Sequence, residues 1–177
     1  MTDITIFGVG IRDAAPTFLE RWGVPSGGDW SCYHGAALDI HGAERVNISD
    51  NAFRRLDNNA IILSGYTRHV TIRHNTASWL GQNFVVSWGD TDGFDGTAGT
   101  QPRFSTVESN LVREIGNYEK QSSFYFQAKS CQNDIVGNVV FNGRESSSAL
   151  CFYALCFVLC SPPTFPSLCC ARSSGND

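Results

Sequence analysis

The sequence lacks the long apolar segments that carry a chain into or across a membrane. No stretch among its 177 residues reaches the length of about 18 apolar residues that a membrane-spanning helix needs. Near the amino terminus stands Asp3, with no basic segment ahead of an apolar one, which argues against a secretory signal peptide. The sequence therefore predicts no transmembrane segment and no signal peptide in this chain, and by itself leaves the compartment open.

Clustered positive charge is absent as well. The chain has 13 Lys and Arg against 17 Asp and Glu, for a net charge of −4, and the basic residues are scattered along the sequence. A nucleic-acid-binding domain usually carries a basic patch or stripe. We therefore expect no nucleic-acid partner.

Cysteine is nearly missing from the first 150 residues. Only Cys32 and Cys131 lie there, and the other five crowd the carboxyl-terminal end. Their spacing matches no zinc-binding pattern, and a disulfide framework would spread its bridges through the fold. The sequence predicts neither kind of cross-link.

What the sequence does contain is a repeat between residues 46 and 90. Each copy begins with V-x-I-x-x-N and continues with an Asn that opens an apolar run closed by Gly. The equivalent residues are 24 positions apart, at Asn51 and Asn75, Asn59 and Asn83, and Gly65 and Gly89. A fixed period in the twenties, made of short strand-like runs, is typical of a solenoid.

Fainter copies extend the repeat in both directions. An apolar run ending at Gly42 precedes the first clear copy, and the segments 106–110, 122–130 and 134–143 follow it, the last with Asn138 at its corner. The alternating residues near the amino terminus indicate a further strand. We expect four or five coils.

The Asn residues that end V-x-I-x-x-N are expected to stabilise the coils. Asn tolerates the left-handed backbone that a tight corner requires. Stacking would bring Asn51 and Asn75 to equivalent corners, where their side-chain amides bond to each other and to the backbone, as in cross-β stacks. We interpret them as a structural ladder.

Three regions are predicted. Residues 1–34 form an irregular amino-terminal segment or cap, residues 35–143 form the coils, and residues 144–177 form an atypical Cys-rich tail. The tail has three interpretations: a cap over the end of the solenoid, an interfacial anchor, or the non-native product of a mis-spliced or frameshifted gene model. The abrupt change of composition after Gly143 favours the third.

The coil pattern in residues 35–143 resembles the repeats of the pectate-lyase-like superfamily. The resemblance implies an all-β fold, a right-handed parallel β-helix solenoid, with further coils after residue 143, so this chain is expected to be a truncated copy. It also implies an extracellular or cell-surface setting. Lyases, hydrolases, adhesins and inert scaffolds share this fold. Two hypotheses follow: a domain that binds or cleaves an acidic polysaccharide, inactive as this fragment, or a non-catalytic scaffold or adhesion module.

An insertion at residues 89–103 interrupts the period and is the predicted binding face. Asp90, Asp92 and Asp95 supply three carboxylates within it, a set that suits Ca²⁺ or simply a solvated turn. No cofactor is required by this prediction. The string DTDGFD also resembles the N-T-D-G motif of polygalacturonase-type hydrolases, but the partner motifs of those enzymes are missing, which favours coincidence.

The remaining candidates surround this loop. The sequence does not assign catalytic residues. Asp92, Asp95 and Lys120 are candidates, because cleavage of an acidic polysaccharide needs acid–base groups and a cation. Trp88, Phe94 and Arg103 are predicted to bind the substrate. Aromatic residues cluster here and either stack on sugar rings or pack as core rungs: Trp79, Trp88, Phe94, Phe104, Tyr118 and Tyr125.

Overall fold

The computed structural model describes residues 1–15, 22–23, 32–92, 95–119, 121–143 and 150–152. All regular secondary structure in these residues is β-strand. The strands are β1 (Thr2–Phe7), β2 (Gly10–Ala14), β3 (Trp22–Gly23), β4 (Cys32–Tyr33), β5 (Ala36–Ser49), β6 (Ala52–Leu56), β7 (Asn59–Arg73), β8 (Thr76–Leu80), β9 (Val85–Trp88), β10 (Thr106–Glu108), β11 (Leu111–Arg113), β12 (Tyr125–Ala128), β13 (Asp134–Val136), β14 (Val139–Phe141) and β15 (Leu150–Phe152).

The strands form two sheets in which every neighbouring pair is parallel. The first sheet has the order β1-β5-β7-β9-β12-β15, with β10 joining β7 to β13, and the second has the order β14-β11-β8-β6-β2. Successive turns of the chain therefore lie on top of one another. The prediction of an all-β parallel β-helix solenoid is confirmed. A short antiparallel pair, β3 with β4, stands apart from the two sheets.

Two glycines bend the longest strands and give each coil three faces. Gly42 in β5 and Gly65 in β7 have φ angles of +61° and +54°, a left-handed conformation that glycine adopts without steric cost. The first halves of β5 and β7, with β9, β12 and β15, form the first face. Their second halves, with β1, β10 and β13, form the second face, and the second sheet forms the third face.

The core is a column of apolar side chains aligned from coil to coil. Ile48 pairs in register with Ile72, which pairs with Val107, and all three are fully buried. The rings of Phe84 and Phe124 stack inside the column, with centroids 5.4 Å apart. Full burial of such a side chain stabilises a fold by about 1.5–3 kcal/mol. The predicted alignment of Ile48 with Ile72 is confirmed.

The asparagine ladder is present and longer than one pair. The Nδ2 atom of Asn51 donates to Oδ1 of Asn75, Asn75 to Asn110, and Asn110 to Asn138, at 3.0, 3.0 and 2.9 Å. In each of these three pairs, the backbone N–H of the first Asn donates to the same Oδ1 atom of the second. A second ladder joins Asn83 to Asn59 at 2.8 Å. The interpretation of these residues as a structural ladder is thus confirmed. The left-handed backbone expected of the Asn residues is instead adopted by the residues that precede them, Asp50, His74 and Ser109.

Two other corners place non-glycine residues in the left-handed region. At the start of the second face and at the end of the third face, each coil contributes one residue with φ between 52° and 60°. These two outward columns are Asp3, Arg45, His69, Phe104 and Gln132 on the second face, and Asp13, Arg55, Trp79, Glu114 and Asn142 on the third.

The first coil lies within residues 1–34 and is tied to the next coil by ion pairs. The guanidinium of Arg45 bonds both oxygens of Asp3 at 2.7 and 2.8 Å, and Arg55 bonds those of Asp13 at 2.6 and 2.8 Å. Of the predicted tail, the structure describes Leu150–Phe152, which pair with β12. The three interpretations of the remaining tail concern residues outside the described ranges.

No helix in the described residues is long and apolar enough to cross a membrane.

Candidate functional site

Two arginines hold the insertion at residues 89–103 against the second face. Arg68, only 8% exposed, donates from Nη2 to the Gly99 carbonyl at 2.7 Å and from Nη1 to the Gln101 carbonyl. Arg103 donates from Nη2 to the Gly96 carbonyl at 2.8 Å. Burial, and then the neighbouring charge of Arg103, lower the pKa of Arg68. One N–H donor of the substrate-binding candidate Arg103 is therefore occupied by a hydrogen bond within its own loop.

The three carboxylates of the insertion are exposed and belong to turns. Oδ1 of Asp95 accepts bonds from the N–H and hydroxyl of Thr97 at 2.9 and 2.7 Å, which lower the pKa of Asp95. The N–H of Asp95 donates to the carbonyl of Asp92 at 3.0 Å. Among the described residues, no three His, Cys, Asp or Glu side chains gather where they would hold a metal ion. Ca²⁺ binding by Asp90, Asp92 and Asp95 gains no support here and stays a prediction.

The other candidates near the insertion do not form a described site. Trp88 is half-buried, with its ring edge-on to His34 at 4.6 Å and to Phe126 at 6.5 Å. These contacts are packing contacts on the first face. Phe94 and Lys120 lie outside the described residues. Substrate binding by Trp88 and Phe94 and catalysis by Lys120 stay predictions.

A polar trio on the first face has the residue types of a hydrolytic triad but a different arrangement. The Nδ1 atom of His41 lies 3.1 Å from the hydroxyl of Ser64, which donates to Asp39 at 3.4 Å. In a working triad the carboxylate orients the histidine rather than the serine. Ser64 is also buried. The trio therefore does not make Ser64 a nucleophile.

A better-formed site lies on the third face. An open cleft of about 390 Å³ is lined by two aromatic residues, two arginines, one aspartate and the backbone around them. Trp79 and Tyr118 are 46% and 74% exposed, among the most exposed aromatic side chains described. The lining residues are Arg54, Arg55, Leu56, Asp57, Trp79, Gly81, Asn117 and Tyr118.

The local fold explains how these residues meet. Trp79 follows Arg55 in the left-handed column of the third face, one coil further on. Tyr118 comes from the next corner, where its N–H donates to the Gly81 carbonyl at 3.1 Å. A Cβ atom at Gly81 would lie 1.8 Å from the Asp57 carbonyl oxygen. Only glycine fits at position 81, and it lets the two corners close around the cleft.

Positive charge extends from the cleft along the third face. Arg12 and Arg54 are paired in register, Arg54 pairs with Ser78, and Ser78 pairs with Arg113. The strands of a sheet lie about 4.8 Å apart, so these guanidinium groups follow one another up the solenoid. Neither Arg54 nor Arg113 makes a hydrogen bond or ion pair with a described residue, although the charge of Arg54 helps to lower the pKa of Asp13. Their donors are free to bind an anion.

The other charged groups of the cleft differ in how they are engaged. Arg55 is occupied by its two bonds to Asp13. Asp57 is half-buried, and its carboxylate has no hydrogen-bond or ion-pair partner among the described residues. The cleft thus offers a free guanidinium from Arg54 and a free carboxylate from Asp57, beside two aromatic faces.

Trp79 stands in a conformation that tryptophan rarely adopts. Its φ angle is 60°, and holding a bulky residue there costs roughly 1–3 kcal/mol. Glycine or asparagine would satisfy the corner at lower cost. The same corner is left-handed in the other coils, at Asp13, Arg55, Glu114 and Asn142, so the corner itself imposes this conformation. The exposure of the indole at the mouth of the cleft makes it available to a ligand.

No family model, curated protein or solved structure matches the chain. Sequence reasoning included Trp79 and Tyr118 among six clustered aromatic residues but did not identify the cleft. One signal was available: Arg55 and Trp79 are 24 residues apart, the period of the repeat. The position of Tyr118 had no such signal, because the insertion changes the spacing between the coils.

Proposed function

We propose that this protein binds an acidic polysaccharide in the cleft between Trp79 and Tyr118. The observation that carries the proposal is that two exposed aromatic rings and the unpaired guanidinium of Arg54 line one open cleft. Aromatic faces stack on the apolar faces of sugar rings, and guanidinium pairs with carboxylate through parallel hydrogen bonds. The resemblance of residues 35–143 to pectate-lyase-like repeats supports the same class of ligand.

The arginine column favours a polymer over a single sugar. Arg12 and Arg113 lie on either side of Arg54 along the third face. The guanidinium of Arg12 is 3.6 Å from the carboxylate of Asp13, so a chain lying along the solenoid axis would meet the guanidinium groups of Arg54 and Arg113 first. Each exposed ion pair contributes only about 0.2–1 kcal/mol. Several contacts along one chain are therefore needed for useful affinity.

The residues support binding rather than cleavage. Hydrolysis of a glycosidic bond ordinarily requires a pair of carboxyl groups at a set separation. Among the described residues that line the cleft, Asp57 alone carries a carboxyl group. We therefore propose a binding module, with the candidate catalytic groups Asp92, Asp95 and Lys120 as a separate hypothesis.

Calorimetric titration tests this function. Purified protein is titrated with fragments of hyaluronan and of polygalacturonate, with neutral dextran as the control. We expect at least one acidic polymer to bind, dextran not to bind, and affinity to fall with added salt because surface charges are screened. Absence of binding to either acidic polymer would refute the proposal and favour the alternative of an inert scaffold.

Matched variants locate the binding. Trp79→Ala should weaken binding by about tenfold, equivalent to about 1.4 kcal/mol. Arg54→Ala should weaken it by up to about fivefold, because an exposed ion pair contributes at most about 1 kcal/mol. Phe104→Ala and Arg73→Ala remove similarly exposed side chains from the second face and should leave the affinity unchanged. If the second-face variants weaken binding and the cleft variants do not, the cleft is not the site. Tighter binding of a double-stranded DNA fragment than of either polysaccharide would instead assign the arginine column to nucleic acid.

A further inference from the structure

Asp57 gives the cleft a selectivity that a purely basic groove would lack. Its carboxylate accepts hydrogen bonds and donates none, whereas the guanidinium of Arg54 donates and accepts none. Both residues line the cleft. Neither side chain makes a hydrogen bond or ion pair with a described residue, and the longer-range interaction of Arg54 is with Asp13 rather than with Asp57. A ligand that satisfies both must present an acidic group to Arg54 and a hydrogen-bond donor to Asp57.

Sugar hydroxyl and amide groups are the donors that suit Asp57. A carboxylate placed there would be repelled, because like charges in contact disfavour each other even in high dielectric. Arg55 does not relieve that repulsion, since its guanidinium already bonds both oxygens of Asp13. The cleft therefore contains one group that attracts an acidic sugar and a second group that disfavours one.

We infer that the cleft selects a glycan in which acidic sugars alternate with neutral, hydrogen-bond-donating sugars, over a polymer with a carboxylate on every sugar. This inference rests on the proposed function, because it names the class of polysaccharide that the same cleft takes. Charge attraction alone makes the opposite prediction. Polygalacturonate has about twice the carboxylate density of hyaluronan, in which glucuronate alternates with N-acetylglucosamine, and would bind more tightly to a simple basic groove.

The test compares the wild-type chain with Asp57→Asn on these two polymers. Asn keeps the size of Asp, removes the negative charge and adds a donor. We expect the wild type to prefer hyaluronan. We expect Asp57→Asn to bind polygalacturonate about tenfold more tightly than the wild type does, a gain equivalent to about 1.4 kcal/mol, with hyaluronan affinity changed by less than about a third of that energy.

The control is Asp134→Asn, which removes the same charge from an exposed position on the second face. It should change neither affinity. If it raises polygalacturonate binding as much as Asp57→Asn does, the effect is one of net charge and the inference is overturned. Equal gains on both polymers from Asp57→Asn would overturn it as well.

Failure of this inference is distinguishable from failure of the proposed function. A wild type that binds both polymers, with no differential effect of Asp57→Asn, overturns the selectivity and leaves binding intact. A wild type that binds neither overturns both. The side chain of Asp57 makes no described hydrogen bond, so the variant should fold, and its melting temperature checks this. Asp57→Ser serves as a second charge-removing variant and must show the same shift toward polygalacturonate.

Discussion

Replacing Asn75 by Ala should destabilise the protein more than any surface change, because this side chain joins three coils. It is fully buried. Its Nδ2 donates to the Ile48 carbonyl and to Oδ1 of Asn110, at 2.9 and 3.0 Å. Its Oδ1 accepts the N–H and Nδ2 of Asn51, both at 3.0 Å. All four bonds disappear in Asn75→Ala.

The size of this destabilisation depends on whether each lost hydrogen bond leaves a buried polar group without a partner. The N–H of Asn51 loses its acceptor in a buried place, which costs about 1–3 kcal/mol. The other three bonds contribute about 0.5–1.5 kcal/mol each. We expect a total near 5 kcal/mol, a large share of the roughly 5–15 kcal/mol that typically separates folded from unfolded chains.

Urea denaturation followed by circular dichroism measures this loss. With a slope near 2 kcal/mol per M, the midpoint should fall by about 2.5 M. Asn138→Ala, at the half-exposed end of the ladder, should cost about 1 kcal/mol, because water reaches the groups it leaves. Asn47→Ala, which removes one outward bond to Ser49, should cost less still. Equal losses for Asn75, Asn138 and Asn47 would refute the claim that the buried ladder stabilises the coils.

Three further predictions concern charge and strain. The arginine bonds to Asp3 and Asp13 hold the pKa values of both carboxyls below the ordinary 3.8. The stability that these bonds contribute is fully present above pH 3.8 and is lost as the pH falls through the lower pKa values of the folded state. The melting temperature should therefore decrease when the pH is lowered below about 4. The decrease should be smaller in an Asp3→Asn, Asp13→Asn double variant, and an equal decrease in that variant would contradict this prediction. Burial raises the pKa of the Cys32 thiol from 9.0 to about 12. Its contribution is complete below pH 9.0 and lost as pH rises toward 12, so Cys32→Ala should flatten the alkaline decline in melting temperature, and an identical decline would count against it. Trp79→Asn should keep or raise the melting temperature, because it relieves a left-handed tryptophan, yet lose polysaccharide binding; a large fall in melting temperature would mean that Trp79 serves packing.

The ladder could be predicted from the sequence because its members are identical and buried. Asn51 and Asn75 are separated by one period of 24 residues, and a buried amide at a corner has few substitutes. The equivalence of Gly42 and Gly65 was visible for a similar reason, since both need a left-handed backbone. Where stacking of the coils requires one residue type at a corner, that residue recurs at the period of the repeat. Such positions can therefore be recognised from the sequence alone.

The cleft could not be predicted in the same way. The spacing along the ladder grows from 24 residues to 35 between Asn75 and Asn110, because the insertion lengthens that coil. Beyond it, counting in periods no longer tells which corner faces Arg54, so Tyr118 could not be placed. The left-handed conformation of Trp79 was also hidden, because tertiary stacking imposes it on a residue type that does not favour it.

The insertion attracted the sequence-based functional predictions because its composition differs from that of the coils. In the structure, Arg68 and Arg103 bond its carbonyl groups, and Asp95 bonds Thr97 within its own turn. These contacts give Asp95 a role in turn formation and the carbonyl groups of Gly96 and Gly99 a role in anchoring the insertion. Ca²⁺ and substrate binding there remain predictions, and the binding site that we propose lies elsewhere, in the cleft on the third face.

The most direct test of where this protein binds its ligand is the pair of indole N–H signals of Trp79 and Trp88 in a two-dimensional NMR spectrum. Trp79→Phe and Trp88→Phe variants assign the two signals. During titration with hyaluronan fragments, the cleft proposal predicts that the Trp79 signal shifts and saturates while the Trp88 signal stays in place. A shift of Trp88 alone would move the site to the insertion, and an unchanged Trp79 signal at saturating ligand would contradict the proposal.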